Sequence, residues 1–171
     1  MGVNRGLYIV MGVSGAGKSV IGAALARALG VDFVEGDEYH PPENVARMAA
    51  GIPLSDDDRL PWLHALAERI RAAKQAGIGL VVACSALKRS YRDILRDESG
   101  TPELQFVFLR GSRELIATRL PGRHGHFMPP QLLDSQFAAL EEPSAEEHAW
   151  VCDITDTPEQ IVAALVARAS T

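Results

Sequence analysis

Leu7-Tyr-Ile-Val-Met11, followed at once by Gly12-Val-Ser-Gly-Ala-Gly-Lys-Ser19, decides how this chain is read. The first five residues are apolar without a break, the pattern of a strand buried on both faces. The next eight match G-x-x-x-x-G-K-[ST] in full. Ile21, Leu25 and Leu29 then recur at i, i+4 and i+8 before Gly30, which predicts an amphipathic helix from Lys18 to Leu29 with its stop. Strand, glycine-rich turn and helix in that order make a phosphate cradle. Glycines let successive backbone N–H groups turn toward phosphate oxygens, and the helix N-terminus adds partial positive charge. Gly12, Val13, Ser14, Gly15, Ala16, Gly17, Lys18 and Ser19 are therefore the expected contacts to a nucleoside triphosphate. Lys18 reaches the β- and γ-phosphates, and the Ser19 hydroxyl is a ligand for Mg²⁺.

Outward from this motif, short apolar runs alternate with helical-period stretches. Val31–Val34, Ile78–Cys84, Leu104–Leu109 and Trp150–Ile154 read as further strands. Helices are expected at Trp62–Ala76, Lys88–Asp97, Ser112–Leu120, about Pro130–Leu140 and Pro158–Ala169. Interleaving of this kind predicts an α/β fold of three layers, a five-stranded parallel sheet with helices on both faces. The 171 residues suit one domain.

Composition narrows the function classes. Apolar residues make up 47% and charged residues 23%, with 17 Lys and Arg against 22 Asp and Glu, a net charge of −5. That argues against a broad basic face for nucleic acid, while a local basic patch can still hold one phosphorylated ligand. Cys84 and Cys152 lack metal-ligand spacing, which argues against a zinc site or a disulfide framework. No apolar run reaches the roughly 18 residues of a membrane span, and the N-terminus lacks a signal-peptide core, so a cytoplasmic location is the expectation.

The acceptor side begins where the second strand ends, in Glu35-Gly-Asp-Glu-Tyr-His40. In a parallel sheet the carboxyl ends of the strands share one edge with the phosphate loop. Asp37 is thus placed to face a γ-phosphate, to orient an alcohol and to take its proton, and Glu35 to hold a metal-bound water. Asp56-Asp-Asp58 reads mainly as helix N-terminal charge, but Arg59 is ill suited there and fits a clamp for an anionic substrate group. Lys88 and Arg89 stand close enough to the third strand's end to touch ligand, whereas Arg92 and Arg96 read as a solvated helix face. From Arg110 to His126, four arginines (Arg110, Arg113, Arg119 and Arg123) meet one acid, Glu114, and the second half is broken by Pro121, Gly122 and Gly125. This predicts a mobile cationic lid over the transferring group, about 119–130, which would also exclude water. Acids gather instead at Glu35–Glu43 and Glu141–Glu147. A switch or mechanical ATPase usually needs a strand ending in Asp, and Ala83-Cys-Ser-Ala-Leu-Lys88 offers no carboxylate. A small-molecule kinase fits better; a kinase for another small acid and a non-catalytic ATP sensor are the alternatives.

These residues together resemble the gluconate kinases of the P-loop type, relatives of shikimate kinase and the nucleoside monophosphate kinases. The carriers are Gly12–Ser19, Glu35-Gly-Asp37 with His40-Pro41 and Asn44, Met48–Leu54, Asp56–Leu63, Cys84–Lys88 with Tyr91-Arg-Asp93, His126-Phe-Met128, Ser135-Gln-Phe137 and Leu140–Pro143. The resemblance implies a P-loop NTPase fold over residues 1–171, with an acceptor-binding helical region about 38–76. It also implies transfer of the γ-phosphoryl group of ATP to the 6-hydroxyl of D-gluconate, a Mg²⁺ requirement and a homodimer. Carried over residue by residue, it makes Lys18, Asp37 and Arg123 catalytic and sets Arg119 against adenine. Asp37, His40, Arg59, Lys88, His126 and Gln136 become the acceptor contacts.

Overall fold

The strand Leu7–Met11 (β1) lies at the centre of a parallel sheet in the computed structural model, which describes residues 4–119 and 130–170. Asp32–Glu35 (β2), Leu80–Ala83 (β3), Gln105–Arg110 (β4) and Trp150–Asp153 (β5) complete the sheet among the described residues, in the order β2-β3-β1-β4-β5. All pairings are parallel. A central strand must be apolar on both faces, and every residue of β1 is buried. The pleat divides its side chains: Leu7, Ile9 and Met11 enter one core layer, Tyr8 and Val10 the other.

Helices cover both faces. Lys18–Leu29 (α1), Arg113–Arg119 (α5), Pro130–Ala139 (α6) and Pro158–Ala169 (α7) pack through residues such as Leu25, Ile116, Leu133 and Leu165 on the Tyr8 and Val10 side. Asp56–Ala76 (α3) and Arg89–Glu98 (α4) cover the other with Trp62, Leu66, Ile70, Tyr91 and Leu95. Pro42–Ala49 (α2) bridges β2 to α3. The registers put Met11, Glu35, Ala83 and Arg110 near one rim. The chain leaves β1 to build β2 and β3 on one side, then crosses to build β4 and β5 on the other, so a crevice opens beside the end of β1.

Two local readings need correction. The helix expected from Trp62 begins at Asp56, because Ser55 accepts from the Asp58 N–H while the Asp58 carboxylate accepts from the Ser55 N–H. Pro61 therefore lies inside the helix, where it has no N–H to give to the Asp57 carbonyl one turn earlier. Arg92 is not on a solvated face. Its side chain is 0% exposed, and it meets the Glu147 carboxylate side-on, Nε to Oε1 at 2.7 Å and Nη2 to Oε2 at 3.0 Å. Its Nη1 donates to the carbonyls of Ala86 and Leu87. Arg96 adds a bond of 2.7 Å to the same carboxylate and lies over the Phe106 ring.

Burial alone would raise the Glu147 carboxyl. The bonds from Arg92, Arg96 and the Ser144 N–H overcome that and bring it down to about 2. The folded carboxyl therefore holds its proton more weakly than the unfolded one, so this stabilisation is complete above about pH 4.5 and is lost as pH falls toward 2. Replacing Glu147 by Gln leaves a buried guanidinium without its counter-charge, and we expect urea unfolding at pH 7 to show a loss of about 3–5 kcal/mol.

Candidate active site

The phosphate loop leaves β1 through Gly12, whose φ is +150° and where a Cβ would lie 3.0 Å from the Leu109 carbonyl oxygen, so a side chain has little room. Its N–H donates to the Ser85 carbonyl at 3.3 Å, tying the loop to the segment that leaves β3. Lys18 Nζ donates to the Val13 carbonyl at 3.0 Å. Gln136 on α6 holds the loop from above: the Ser14 N–H donates to its Oε1 at 2.7 Å, and its Nε2 donates to the Ser14 hydroxyl at 3.1 Å. The Ser19 hydroxyl donates directly to the Glu35 carboxylate at the end of β2.

Asp37 stands exposed on a tight turn, Gly36–Tyr39. Gly36 is pressed so closely on β3 that a Cβ would lie 2.3 Å from the Ala83 carbonyl oxygen, and its own carbonyl accepts from Trp62 Nε1 at 2.8 Å. The turn is thereby fixed to the sheet and to α3. His40 stacks on Trp62 with ring centres 4.2 Å apart, and its Nδ1 lies 3.2 Å from Asn44 Nδ2. Arg59 Nη1 donates to the Leu54 carbonyl at 2.8 Å and to the Tyr91 hydroxyl at 3.1 Å. Tyr91 in turn donates to the Asp56 carboxylate, which also pairs with Lys88 at 2.9 Å. The Tyr91 bond and then the Lys88 bond hold the Asp56 carboxyl below the usual range.

Lys18, Asp37, His40, Arg59 and Gln136 line one cleft of about 570 Å³. Lys88 lines an adjoining recess of about 270 Å³, which shares Arg59 and Gln136. A third recess of about 250 Å³ runs along the other side of the loop, from Gly15 and Gly17 to Arg119, Ile154 and Asp156, and Arg119 Nη2 donates to the Ile154 carbonyl at 2.6 Å. The arrangement thus has a phosphate loop with a mostly apolar recess on one side and, on the other, a cleft that carries charged side chains. Cys84 beneath it is no nucleophile: burial, with the charge of Asp37, pushes its thiol up to about 12.

Other expectations fare differently. Arg89 does not reach the cleft; it pairs with Asp93 and Glu146 and donates to Ser144. The cationic segment is partly neutralised, since Arg110 pairs with Glu142 and Arg113 with Asp134. Arg123, His126 and most of the expected lid lie outside the described residues. Asp56 does stand in the first turn of α3, as read, and it also ties Lys88 to Tyr91, contacts 32 to 35 residues apart in the chain that no local pattern announces.

Comparison with known proteins agrees with this geometry. A family model described as shikimate kinase matches residues 14–169. A protein of Escherichia coli (strain K12) named thermoresistant gluconokinase is 44% identical over 161 residues, covering 94% of this chain and 91% of that protein. The crystal structure of a gluconokinase from Sinorhizobium meliloti 1021 superposes with a TM-score of 0.88 at 48% identity, over 98% of this chain and 93% of the other. An unliganded sugar kinase from Janibacter sp. HTCC2649 gives 0.89 at 46% identity, over 95% and 92%.

Burial pulls the His40 imidazole down to about 4, against the upward pull of Asp37 and with help from Arg59. NMR of the ring protons should show a titration midpoint near 4 rather than 6.5. Because the unfolded chain takes up a proton that the folded one refuses, this residue's effect on stability worsens as pH falls from about 6.5 toward 4.

Proposed function

The chain belongs to the shikimate kinase family and within it to the gluconokinases, ATP-dependent kinases of gluconate; from that premise we propose which of its residues carry the γ-phosphoryl group to the 6-hydroxyl, giving 6-phosphogluconate and ADP. The observation that carries this reading is that Lys18 of the phosphate loop and Asp37 and Arg59 of the acceptor side line the same cleft.

In this reading the Gly12–Ser19 loop wraps the phosphates of ATP, and the recess beside Arg119 and Ile154 takes the adenine, with Arg119 packed against it. Gluconate lies in the cleft with its carboxylate on Arg59, whose fork is already oriented by Leu54 and Tyr91. His40, Lys88 and Gln136 meet its other oxygens, and His126 joins them. Asp37 accepts a hydrogen bond from the 6-hydroxyl, aims its oxygen at the γ-phosphorus and receives its proton as the bond forms. Aim at the phosphorus and acceptance of the proton both fall to Asp37, as positioning and charge stabilisation carry most of the catalysis of phosphoryl transfer. Lys18 and Arg123 offset the charge on the transferring group.

Ser19 and Glu35 present only oxygen donors, side by side, and that set suits Mg²⁺. They would hold it directly and through water, and when bound it neutralises β- and γ-phosphate oxygens. The same reading makes the enzyme a cytoplasmic homodimer: the family resemblance supports the dimer, and use of ATP the location. Among the described residues no helix is long and apolar enough to cross a membrane.

The description of the matching family model favours shikimate as a second acceptor to try. ADP release measured over gluconate, other aldonic acids and shikimate should rise with gluconate; stimulation by shikimate alone would move the assignment. Asp37→Asn should lower kcat by about 10²–10⁴ while the KM for ATP stays near that of the parent. Arg59→Ala should raise the gluconate KM about tenfold or more, and the effect should shrink with an acceptor lacking the carboxylate.

A further inference from the structure

The acceptor cleft contains an imidazole whose proton is placed by a buried amide. Asn44, on α2, is 2% exposed, and its Nδ2 lies 2.7 Å from the Asp58 carbonyl oxygen and 3.2 Å from His40 Nδ1. A carbonyl oxygen only accepts, so the Asn44 atom facing it is the NH₂ group and not the amide oxygen. That group has a second proton, directed to His40 Nδ1. Nδ1 must then be the bare nitrogen, and the single proton of a neutral ring sits on Nε2.

We propose that Asn44 is a positioning residue: it locks His40 as the Nε2–H tautomer, so that the acceptor substrate meets a neutral hydrogen-bond donor suited to one of its hydroxyl or carboxylate oxygens. The proposal rests on the cleft being the gluconate site. Its geometry comes from three contacts made by three different elements. Trp62 on α3 fixes the plane of the ring, Asn44 on α2 occupies Nδ1, and the His40 N–H donates to the Asp37 carbonyl of the preceding turn. The ring itself lines the cleft beside Asp37 and Arg59.

Neutrality has a consequence for the transfer. An imidazolium next to Asp37 would pair with its carboxylate and weaken it as the acceptor of the hydroxyl proton. The low affinity of His40 for a second proton, set by burial with Asp37 opposing and Arg59 assisting, keeps that carboxylate available at neutral pH. The other tautomer would show the substrate a bare nitrogen and leave the Asn44 NH₂ facing an N–H.

Long-range ¹H–¹⁵N NMR of the ligand-free protein at pH 7 reads the tautomer directly. A bare Nδ1 and a protonated Nε2 on His40 are expected, and Asn44→Ala should shift the ring toward a mixture. A protonated Nδ1 in the parent protein overturns the proposal. Kinetics supply a second arm that does not depend on Asn44→Ala folding. His40→Gln can bring an amide N–H to the place of Nε2 and should keep the gluconate KM within about threefold. His40→Asn reaches only the place of Nδ1 and should raise it about tenfold, the scale of one lost hydrogen bond. Equal KM values for the two variants overturn the proposal as well. The spectrum is recorded without substrate, so a parent enzyme that fails to turn over gluconate would remove the substrate assignment and leave the tautomer standing or falling on its own.

Discussion

The bond from the Gly12 N–H to the Ser85 carbonyl joins the two strand ends on which the whole site is built. β1 and β3 are neighbours, so their exits leave the sheet side by side. One exit becomes the phosphate loop and the other becomes Ser85-Ala86-Leu87, a wall of the acceptor cleft. Ala86 holds a φ of +44°, a conformation that an L-residue adopts only under constraint. Arg92 braces this turn by donating to the carbonyls of Ala86 and Leu87, and Arg92 is in turn held side-on by Glu147. The Leu87 carbonyl also accepts the Glu141 N–H just beyond α6, the helix whose Gln136 grips Ser14. Donor side, acceptor side and the far end of the chain are thus joined through one short turn.

This network changes what the net charge means. A chain with a formal charge of −5 still has to hold a small anion next to a nucleotide. The acidic run Glu141–Glu147 does not oppose that task, because three of its glutamates are paired with arginines, Glu142 with Arg110, Glu146 with Arg89 and Glu147 with Arg92 and Arg96, while Glu141 accepts from the Arg89 backbone N–H. Lys18, Arg59 and Lys88 line the cleft and its adjoining recess. The exposed pairs contribute little to stability, and the buried Glu147 cluster carries most of the structural weight.

Much of this was legible in the sequence because it is local. The strand-loop-helix at Leu7–Leu29 with its stop at Gly30, and the apolar β3 and β4, follow from spacing within a dozen residues. Asp37, His40 and Arg59 could be named as cleft residues because sheet topology brings strand ends to one edge and because the motifs resemble those of a known family. The reading failed where partners are distant. Nothing near Arg92 distinguishes it from Arg96 or Arg89, and only the return of the chain 55 residues later, with Glu147, buries it. The early start of α3 was hidden by Pro61, which stands just ahead of the helix expected from Trp62 until the Ser55 and Asp58 capping pair is seen. The role of Asn44 depends on the Asp58 carbonyl, a backbone atom that sequence cannot place.

The central claim is that the two halves of the cleft deliver phosphoryl from ATP to one particular hydroxyl. It is tested most directly by ³¹P NMR of a reaction containing the enzyme, ATP, Mg²⁺ and ¹³C-labelled gluconate. ADP is expected together with a single phosphomonoester whose phosphorus couples to carbon 6. Inorganic phosphate as the sole product, or an ester on any other hydroxyl, would contradict it.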